Sequence, residues 1–196
     1  MLEWILRWVL QNGINHVVLG VAYKKDQIIK YFRNGRDFGL DISYSQHTVA
    51  GGTGEGFRLA ISRFVSDKRF LAMNCDELSD LDVSKLARSH QSDRDIATIA
   101  VSPLRSPFGV VQLRGTRITG FREKPVIRDH FVSIGIYLLE SQIMTYLPEK
   151  GDIERVTFPI LARERRLSAY LHNGFWTTMN TIKDVRYAEE YIKRRT

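Results

Sequence analysis

The stretch that decides the fold is EWILRWVLQNGINHVVLGVAYKKDQIIKYF, residues 3–32, because its hydrophobic spacing changes twice. Apolar residues first recur at the three- and four-residue spacing of a helix, and they stop just before Gly13, a residue suited to end one. The β-branched run NHVVLGV at 15–21 then predicts a strand, and KKDQIIKYF at 24–32 returns to helical spacing. The stretch therefore predicts a helix, a strand and a helix in succession.

The same alternation continues along the first half of the chain. LDISYSQ at 40–46, RFLAMNC at 69–75 and DIATIAV at 95–101 have the composition of strands, and helical segments separate them. One of these helices follows a glycine-rich turn, and the other begins at the acidic cap Asp82. Strands that alternate with helices are typical of a largely parallel sheet covered by helices.

The second half begins with closely spaced strands. GVVQL, TRITGF and FVSIGIYLL follow Pro103 with only short loops between them, which predicts an antiparallel excursion. Helices are then expected near 141–147 and 154–162, followed by the strand SAYLH and a last helix with a T-x-x-D start at Thr181. At 196 residues, we expect one α/β domain that spans 1–196.

Composition excludes several classes of protein. No apolar run approaches the roughly 20 residues of a membrane span, and Glu3 and Arg7 interrupt the first apolar stretch, unlike a secretory signal. The single cysteine, Cys75, excludes an intrachain disulfide and a multi-cysteine zinc site. We therefore expect a cytoplasmic protein with no membrane contact.

The net charge of +7 is compatible with nucleic acid, an acidic surface or anionic small substrates as partners. The densest basic groups are RERRL at 163–167 and KRRT at the end of the chain. Neither group alternates with aromatic residues, as the basic segments of single-strand binders do. We therefore expect no nucleic-acid partner and interpret these groups as solvated helix surface.

The segment VAGGTGEGFRLA, residues 49–60, is rich in glycine and leads into a helix. A loop of this kind can bind an anion through its backbone N–H groups. However, the glycine spacing fits neither the dinucleotide fingerprint nor the P-loop. From these residues alone, a ligand-binding loop and a tight strand-to-helix turn both stay open.

Two further motifs lie where strands are predicted to end, which is where doubly wound sheets bind ligands. Asp76 ends FLAMNCD and could hold Mg²⁺ against phosphate oxygens. In GFREKP, Lys124 could neutralise a phosphate and Glu123 could accept hydrogen bonds from hydroxyls. Taken singly, a capping aspartate and a surface ion pair are the simpler interpretations.

The order of these motifs resembles that of the sugar-1-phosphate nucleotidyltransferases. GGTGEG corresponds to the family's L-G-T-A/G-G segment and NCDEL to its N-G-D, and FREKP keeps its E-K-P. IGIYLLE, DIERVTFP and WTTMNTIKD then follow the family's G-i-Y, S-x-E-x-D-x-F-P and W-x-D-i-G-T-x-x-D. The resemblance covers nearly the whole chain. It implies a Rossmann-like α/β fold, with a mostly parallel sheet flanked by helices and a small antiparallel excursion.

The resemblance also implies an activity. The family joins a nucleoside triphosphate and a sugar 1-phosphate into a nucleotide sugar and releases pyrophosphate. A specificity similar to that of the mannose-1-phosphate guanylyltransferases is favoured by the general pattern. By the same resemblance, Gly52, Thr53 and Gly54 receive the nucleoside, with the glycines letting it approach the backbone.

The remaining site residues follow from the same resemblance. Asp76 is a Mg²⁺ ligand, Lys124 contacts the sugar 1-phosphate, Glu123 contacts the sugar hydroxyls and Gly109 lines the sugar pocket. Asp76 and Lys124 are the residues expected to carry catalysis, because phosphoryl transfer needs positioning and charge neutralisation more than a protein nucleophile.

The chain departs from the family pattern at several places, of which two bear most on function. It begins where a family member is already in its first long helix, so the first strand and its G-x-G-T-R-L phosphate loop are missing. That strand belongs inside the sheet, and we expect uncovered backbone groups unless a partner chain or rearranged strands repair the fold. We favour a truncated start over such a repair.

The second departure is Thr178, which replaces a metal-binding aspartate of the family. A site with one carboxylate relies more on water and phosphate ligands. A non-catalytic regulatory or binding protein on the same fold therefore stays open as the alternative function. A homo-oligomer is compatible with either function.

Overall fold

The computed structural model describes residues 1–91 and 93–194. The helices are α1 (Leu2–Gln11), α2 (Lys25–Phe32), α3 (Gly52–Phe64), α4 (Val83–Ser89), α5 (Ile153–Arg163) and α6 (Ile182–Lys193). The strands are β1 (His16–Val21), β2 (Asp41–Gln46), β3 (Arg69–Met73), β4 (Glu77–Ser79), β5 (Ala97–Arg105), β6 (Val110–Arg114), β7 (Arg117–Arg122), β8 (Val126–Glu140), β9 (Leu167–Leu171) and β10 (Trp176–Thr178). This order of strands and helices confirms the predicted α/β class.

Two sheets make up the body of the molecule. In the first, β1 and β2 pair in parallel. In the second, the strand order is β3-β8-β5-β9, where β8 is antiparallel to both neighbours and β9 is parallel to β5. Thus β3, β5 and β9 share one direction, and only β8 opposes them. Helix α3 carries the chain from the end of β2 back to the start of β3, as in a parallel crossover, so the sheet is mostly parallel as predicted.

Two antiparallel pairs complete the strand set. The hairpin β6–β7 follows β5 and supplies two of the three strands predicted for the excursion. The third, FVSIGIYLL, is instead part of β8 and pairs with β3 and β5 in the main sheet. The pair β4–β10 was not predicted from the sequence. Each of its strands has only three residues, which is too short for a hydrophobic period to show.

The helix starts follow local hydrogen-bonding chemistry. The side chain of Asp82 accepts a hydrogen bond from the backbone N–H of Lys85 (3.1 Å), so the predicted cap is confirmed. Thr181 and Asp184 form the predicted capping box, in which each side chain accepts from the other's backbone N–H. In contrast, the helix predicted near 141–147 is only a short 3-10 turn, since Pro148 follows it directly.

The core forms on both faces of β8. Tyr137 and Leu139 pack against residues of α3 and α5, whereas Ile136 and Leu138 pack on the other face, against α4 and the loop before it. Because helices cover both faces, this half of β8 is a continuous apolar run rather than an alternating one. None of the described helices has the length and apolar character needed to cross a membrane.

A buried polar cluster ties the ends of several strands together. The Glu140 carboxylate, at the end of β8, accepts from Arg69 Nε (2.8 Å) and lies 3.1 Å from His90 Nε2. The other ring nitrogen of His90 lies 2.8 Å from the Thr98 hydroxyl, which in turn meets Ser168 at 2.6 Å. These contacts join β3, β8, β5 and β9 with the end of α4.

The two sheets face each other across an open gap. No strand of residues 1–91 or 93–194 pairs with the second edge of β1 or of β3. The bond from Asp41 N to Asn15 O fixes which residues of β1 face β2, and it leaves the N–H and C=O of Val18 and Gly20 on the gap side.

The opposite wall of the gap is β3. The bond from Asn74 N to Gly135 O shows that even-numbered residues of β3 pair with β8. The backbone groups of Leu71 and Met73 therefore point into the gap. Two rows of strand hydrogen-bonding groups thus face one another without a strand between them.

The gap is a cleft of about 760 Å³, which we call the interstrand cleft. Its lining is largely apolar, with α1 contributing Leu2 and Ile5 and α3 contributing Phe57 and Ile61. The expected uncovered backbone groups are found at these edges of β1 and β3 in the described residues.

Removing the carboxylate of Glu140 tests the buried polar cluster. We expect Glu140→Ala to lower the free energy of unfolding by about 2 kcal/mol, because it leaves Arg69 and the buried His90 without their partner. Urea unfolding measures this loss. The control is Glu149→Ala, which removes only an exposed ion pair to Arg58 and should cost under about 0.5 kcal/mol. Equal losses would contradict this role of the cluster.

Amide hydrogen exchange tests the interstrand cleft. We expect the amides of Val18 and Leu71 to exchange at least about 100-fold faster than those of Leu19 and Ala72, because only the second pair is hydrogen-bonded within a sheet. The four amides lie on two strands, and each comparison is between neighbouring residues of one strand. Uniform protection along each strand would show that the cleft edges are paired.

Candidate functional site

Asp76 lies three residues after the end of β3, beyond the carboxyl end of the strand, as predicted. Its side chain is exposed, and its backbone carbonyl accepts a hydrogen bond from Met179 N (2.8 Å). That bond and the pairing of β4 with β10 bring the W-T-T segment beside Asp76. The structure therefore places together the two positions that the family resemblance connects, Asp76 and Thr178.

Thr178 lies opposite Glu77 in the β4–β10 register. Its hydroxyl oxygen is buried and has no hydrogen-bond partner in the described part of the chain. Within that same part, no group of three or more histidine, cysteine, aspartate or glutamate side chains is placed to hold a metal ion. Asp76 thus offers one exposed carboxylate, which fits Mg²⁺ when substrate phosphate and water supply the other ligands.

Glu77 has a perturbed carboxyl group beside Asp76. Burial is the main cause that raises the pKa of Glu77 to about 7; a hydrogen bond from Trp176 Nε1 (2.7 Å) opposes the rise, and the charge of Asp76 adds to it. A Cβ added to Gly135, whose φ is +67°, would lie 2.7 Å from Glu77 Cγ. Glu77 is therefore held in place and carries less charge at neutral pH than an ordinary carboxylate.

The glycine-rich segment packs against the chain itself. Gly54 N donates to Gly151 O (2.9 Å), and Gly151 N donates to Gly51 O (2.8 Å). A Cβ added to Gly54 would lie 2.6 Å from Gly151 O, and one added to Gly52 would lie 2.7 Å from the same atom. The 148–152 loop therefore approaches the backbone of Gly52 and Gly54 so closely that only glycine fits at these two positions. The nucleoside role of Gly52, Thr53 and Gly54 stays a prediction.

Thr53 belongs to a chain of hydrogen bonds that the sequence analysis did not assign. Its hydroxyl donates to Glu154 Oε2 (2.7 Å) and accepts from Ile153 N (3.1 Å). Tyr137 donates its hydroxyl proton to the other oxygen of Glu154 (3.1 Å). Burial, and then the charge of Glu154, hold the pKa of Tyr137 far above its ordinary value, so the phenol stays a donor. Glu154 lies in the motif DIERVTFP and Tyr137 in the motif IGIYLLE, both quoted above.

His47 is a second residue that the sequence analysis missed. It follows β2, its ring lies against Gly20 and Gly56, and its Nδ1 is buried without a hydrogen-bond partner in the described residues. His47, Thr53 and Asp76 all line one end of the interstrand cleft. The cleft therefore opens directly onto the predicted site.

The excursion carries the other predicted residues. A Cβ on Gly109 would lie 3.0 Å from Glu123 Oε2, so the fold brings these two residues together. Lys124 is exposed and has a left-handed φ of 44°, directly before Pro125. In the described residues, no hydrogen bond or ion pair joins Glu123 or Lys124 to Asp76. Their roles toward a sugar phosphate stay predictions.

Comparison with known proteins gives the family. The family model described as "Nucleotidyl transferase" matches residues 1–194. A probable mannose-1-phosphate guanylyltransferase 2 from Oryza sativa subsp. japonica is 30% identical over 183 residues, covering 88% of this chain and 50% of the relative. A mannose-1-phosphate guanylyltransferase catalytic subunit beta from Dictyostelium discoideum is 30% identical over 179 residues, with the same coverage. The chain thus spans about half the length of these curated relatives.

Solved structures show the same fold. HddC from Yersinia pseudotuberculosis superposes with a TM-score of 0.76 at 18% identity, covering 97% of this chain and 84% of that one. A putative glucose-1-phosphate thymidylyltransferase from Bacillus anthracis gives a TM-score of 0.74 at 19% identity, covering 97% and 81%. With the family match along residues 1–194, these similarities show that the chain belongs to the nucleotidyl transferase family, as its motifs predicted.

Proposed function

We propose that this protein transfers a nucleotidyl group from GTP to mannose 1-phosphate and releases pyrophosphate. An oxygen of the sugar phosphate forms a bond to the α-phosphorus while the bond from that phosphorus to the bridging oxygen of pyrophosphate breaks. The observation that carries the proposal is the exposed Asp76 carboxylate beyond β3, at the mouth of a cleft that Thr53 and His47 also line.

Each residue has a role in charge neutralisation or positioning. Asp76 holds Mg²⁺, which supplies positive charge to the triphosphate when it is bound. Lys124 neutralises the sugar phosphate, which is consistent with its exposed ammonium group at the base of the excursion. Gly109 and Glu123 form the sugar pocket, which is consistent with the close approach of the Glu123 carboxylate and the Phe121 ring to Gly109.

The nucleoside is assigned to the start of α3. Thr53 is held there by Glu154, and His47 has a ring nitrogen that has no partner in the described part of the chain and could bond a ligand. A guanine nucleotide is supported by HddC from Yersinia pseudotuberculosis, one structure of which is a complex with GMP-PN at a TM-score of 0.75 and 18% identity. The names of the curated relatives support mannose 1-phosphate as the acceptor.

Thr178 favours the alternative function, a binding or regulatory protein on the same fold. A second carboxylate at this position would strengthen a metal site beside Asp76, and the chain instead has a buried hydroxyl with no hydrogen-bond partner among the described residues. Such a protein would bind the nucleotide sugar without turnover. Measuring binding and turnover on the same sample separates the two functions.

Pyrophosphate release tests the proposed reaction. With Mg²⁺, GTP and mannose 1-phosphate, we expect release, and we expect Asp76→Asn and Lys124→Ala each to lower kcat by about 100-fold or more, because each removes a charge that stabilises the transition state. The matched controls are Glu190→Gln and Lys183→Ala, two exposed residues of α6, and they should leave the rate unchanged.

The remaining outcomes distinguish the two functions. If no nucleoside triphosphate and sugar 1-phosphate pair gives pyrophosphate while GDP-mannose still binds in equilibrium dialysis, the non-catalytic alternative is correct. Absence of both release and binding would rule out both functions.

Thr178→Asp tests the metal site by adding a carboxylate instead of removing one. We expect the variant to melt below the parent without metal, because a third carboxyl joins Asp76 and Glu77. Added MgCl₂ should then raise its melting temperature more than that of the parent. Thr177→Asp is the control, because adjacent side chains of a strand point to opposite faces. Equal magnesium effects in both variants would contradict a metal site at Asp76.

A further inference from the structure

The excursion hairpin β6–β7 has two chemically different faces. The register pairs Val111 with Phe121 and Leu113 with Ile118, and a bulge between the two pairs keeps all four side chains on one face. We call these four residues the hairpin face. All four of these side chains are apolar.

The opposite face of the same hairpin is basic. Its cross-strand pairs are Arg114 with Arg117, Val110 with Arg122 and Gln112 with Gly120. The Gln112 side chain lies over Gly120, which confirms this assignment of faces. None of the three arginines forms an ion pair within the described residues.

The hairpin face is uncovered in the single chain. Val111 is 40% exposed, and the other three residues are 63–64% exposed. None of the four belongs to the hydrophobic clusters that form the core in the described residues. A two-stranded hairpin is marginally stable in water unless its apolar face is covered, and contiguous exposed apolar surface marks an interaction site.

We propose that the hairpin face is a self-association surface, on which the same face of a second copy of this chain packs about a twofold axis. Two such hairpins form a small sandwich with eight apolar side chains inside and the arginines outside, in solvent. A twofold axis perpendicular to the strands places the Phe121–Val111 end of one hairpin over the Leu113–Ile118 end of the other, so a bulky ring meets branched aliphatic side chains.

The distribution of charge favours a second copy over an anionic surface. A surface that binds an anionic bilayer or an acidic protein has basic residues on the same side as its apolar residues. Here Arg114, Arg117 and Arg122 point away from the hairpin face. Two positively charged copies can approach through this face because no like charges meet on it.

The exposed area of the hairpin face sets the expected strength of the dimer. At about 150–250 Å² per large side chain, the hairpin face exposes on the order of 400 Å² per copy, so pairing buries on the order of 800 Å² in total. Stable interfaces begin near 1,200 Å², and smaller ones are typical of transient complexes. We therefore expect a dimer that forms and dissociates with protein concentration.

Sedimentation equilibrium on the full chain, from low to high micromolar concentration, tests the proposal. We expect the weight-average mass to rise from one copy toward two. Leu113→Glu and Phe121→Glu should weaken this association at least tenfold, because each places a charge inside the apolar contact. Phe121→Leu keeps the face apolar and should retain it, and Arg114→Glu is the control on the opposite face and should also dimerise.

The control variants keep the test interpretable if a glutamate disturbs the hairpin. A dimer that survives both glutamate variants would place the contact elsewhere and overturn the proposal. A parent chain that stays monomeric at high micromolar concentration would overturn it too. Retention by vesicles containing phosphatidylserine that is lost in Phe121→Glu would make a bilayer the occupant, against the proposal.

Discussion

The hydrogen bonding of β8 to both β3 and β5 is the interaction on which the rest of the structure depends. At fifteen residues, β8 is the longest strand, and its second half is buried on both faces. Pairing at Ile136 fixes where β3 ends and hence where Asp76 emerges. The strand begins two residues after Lys124, so one strand sets the positions of both ends of the candidate site. Its last residue, Glu140, anchors the buried polar cluster at the far edge.

Much of the fold could be predicted from the sequence because most elements are long enough to show a period. The caps at Asp82 and Thr181 were also predictable, since capping depends on side chains within one turn. The pair β4–β10 could not be predicted, because its short strands exist through pairing between residues distant in the chain. The turn at 141–145 keeps a helical pattern that Pro148 does not allow to extend.

The candidate site shows where sequence reasoning reaches its limit. Asp76 could be placed because the ends of strands follow from the alternation of elements. Glu154 could not be assigned to Thr53, because that contact joins residues about one hundred positions apart. The glycines near 52 were recognised as sites of close approach, but the sequence does not show that Gly151 is the group that approaches. Local chemistry identified the residues, and tertiary packing determined their neighbours.

The open gap between the sheets has a consequence for cooperativity. No backbone ladder links the unit of β1, α2 and β2 to the four-stranded sheet in the described residues, so side-chain packing of α1 and α3 is the main connection. Such a unit is expected to open at a lower free energy than the main sheet, as a separate foldon. Apparent stability would then depend on which half of the molecule a spectroscopic probe reports, and a single two-state unfolding free energy would not describe the whole chain.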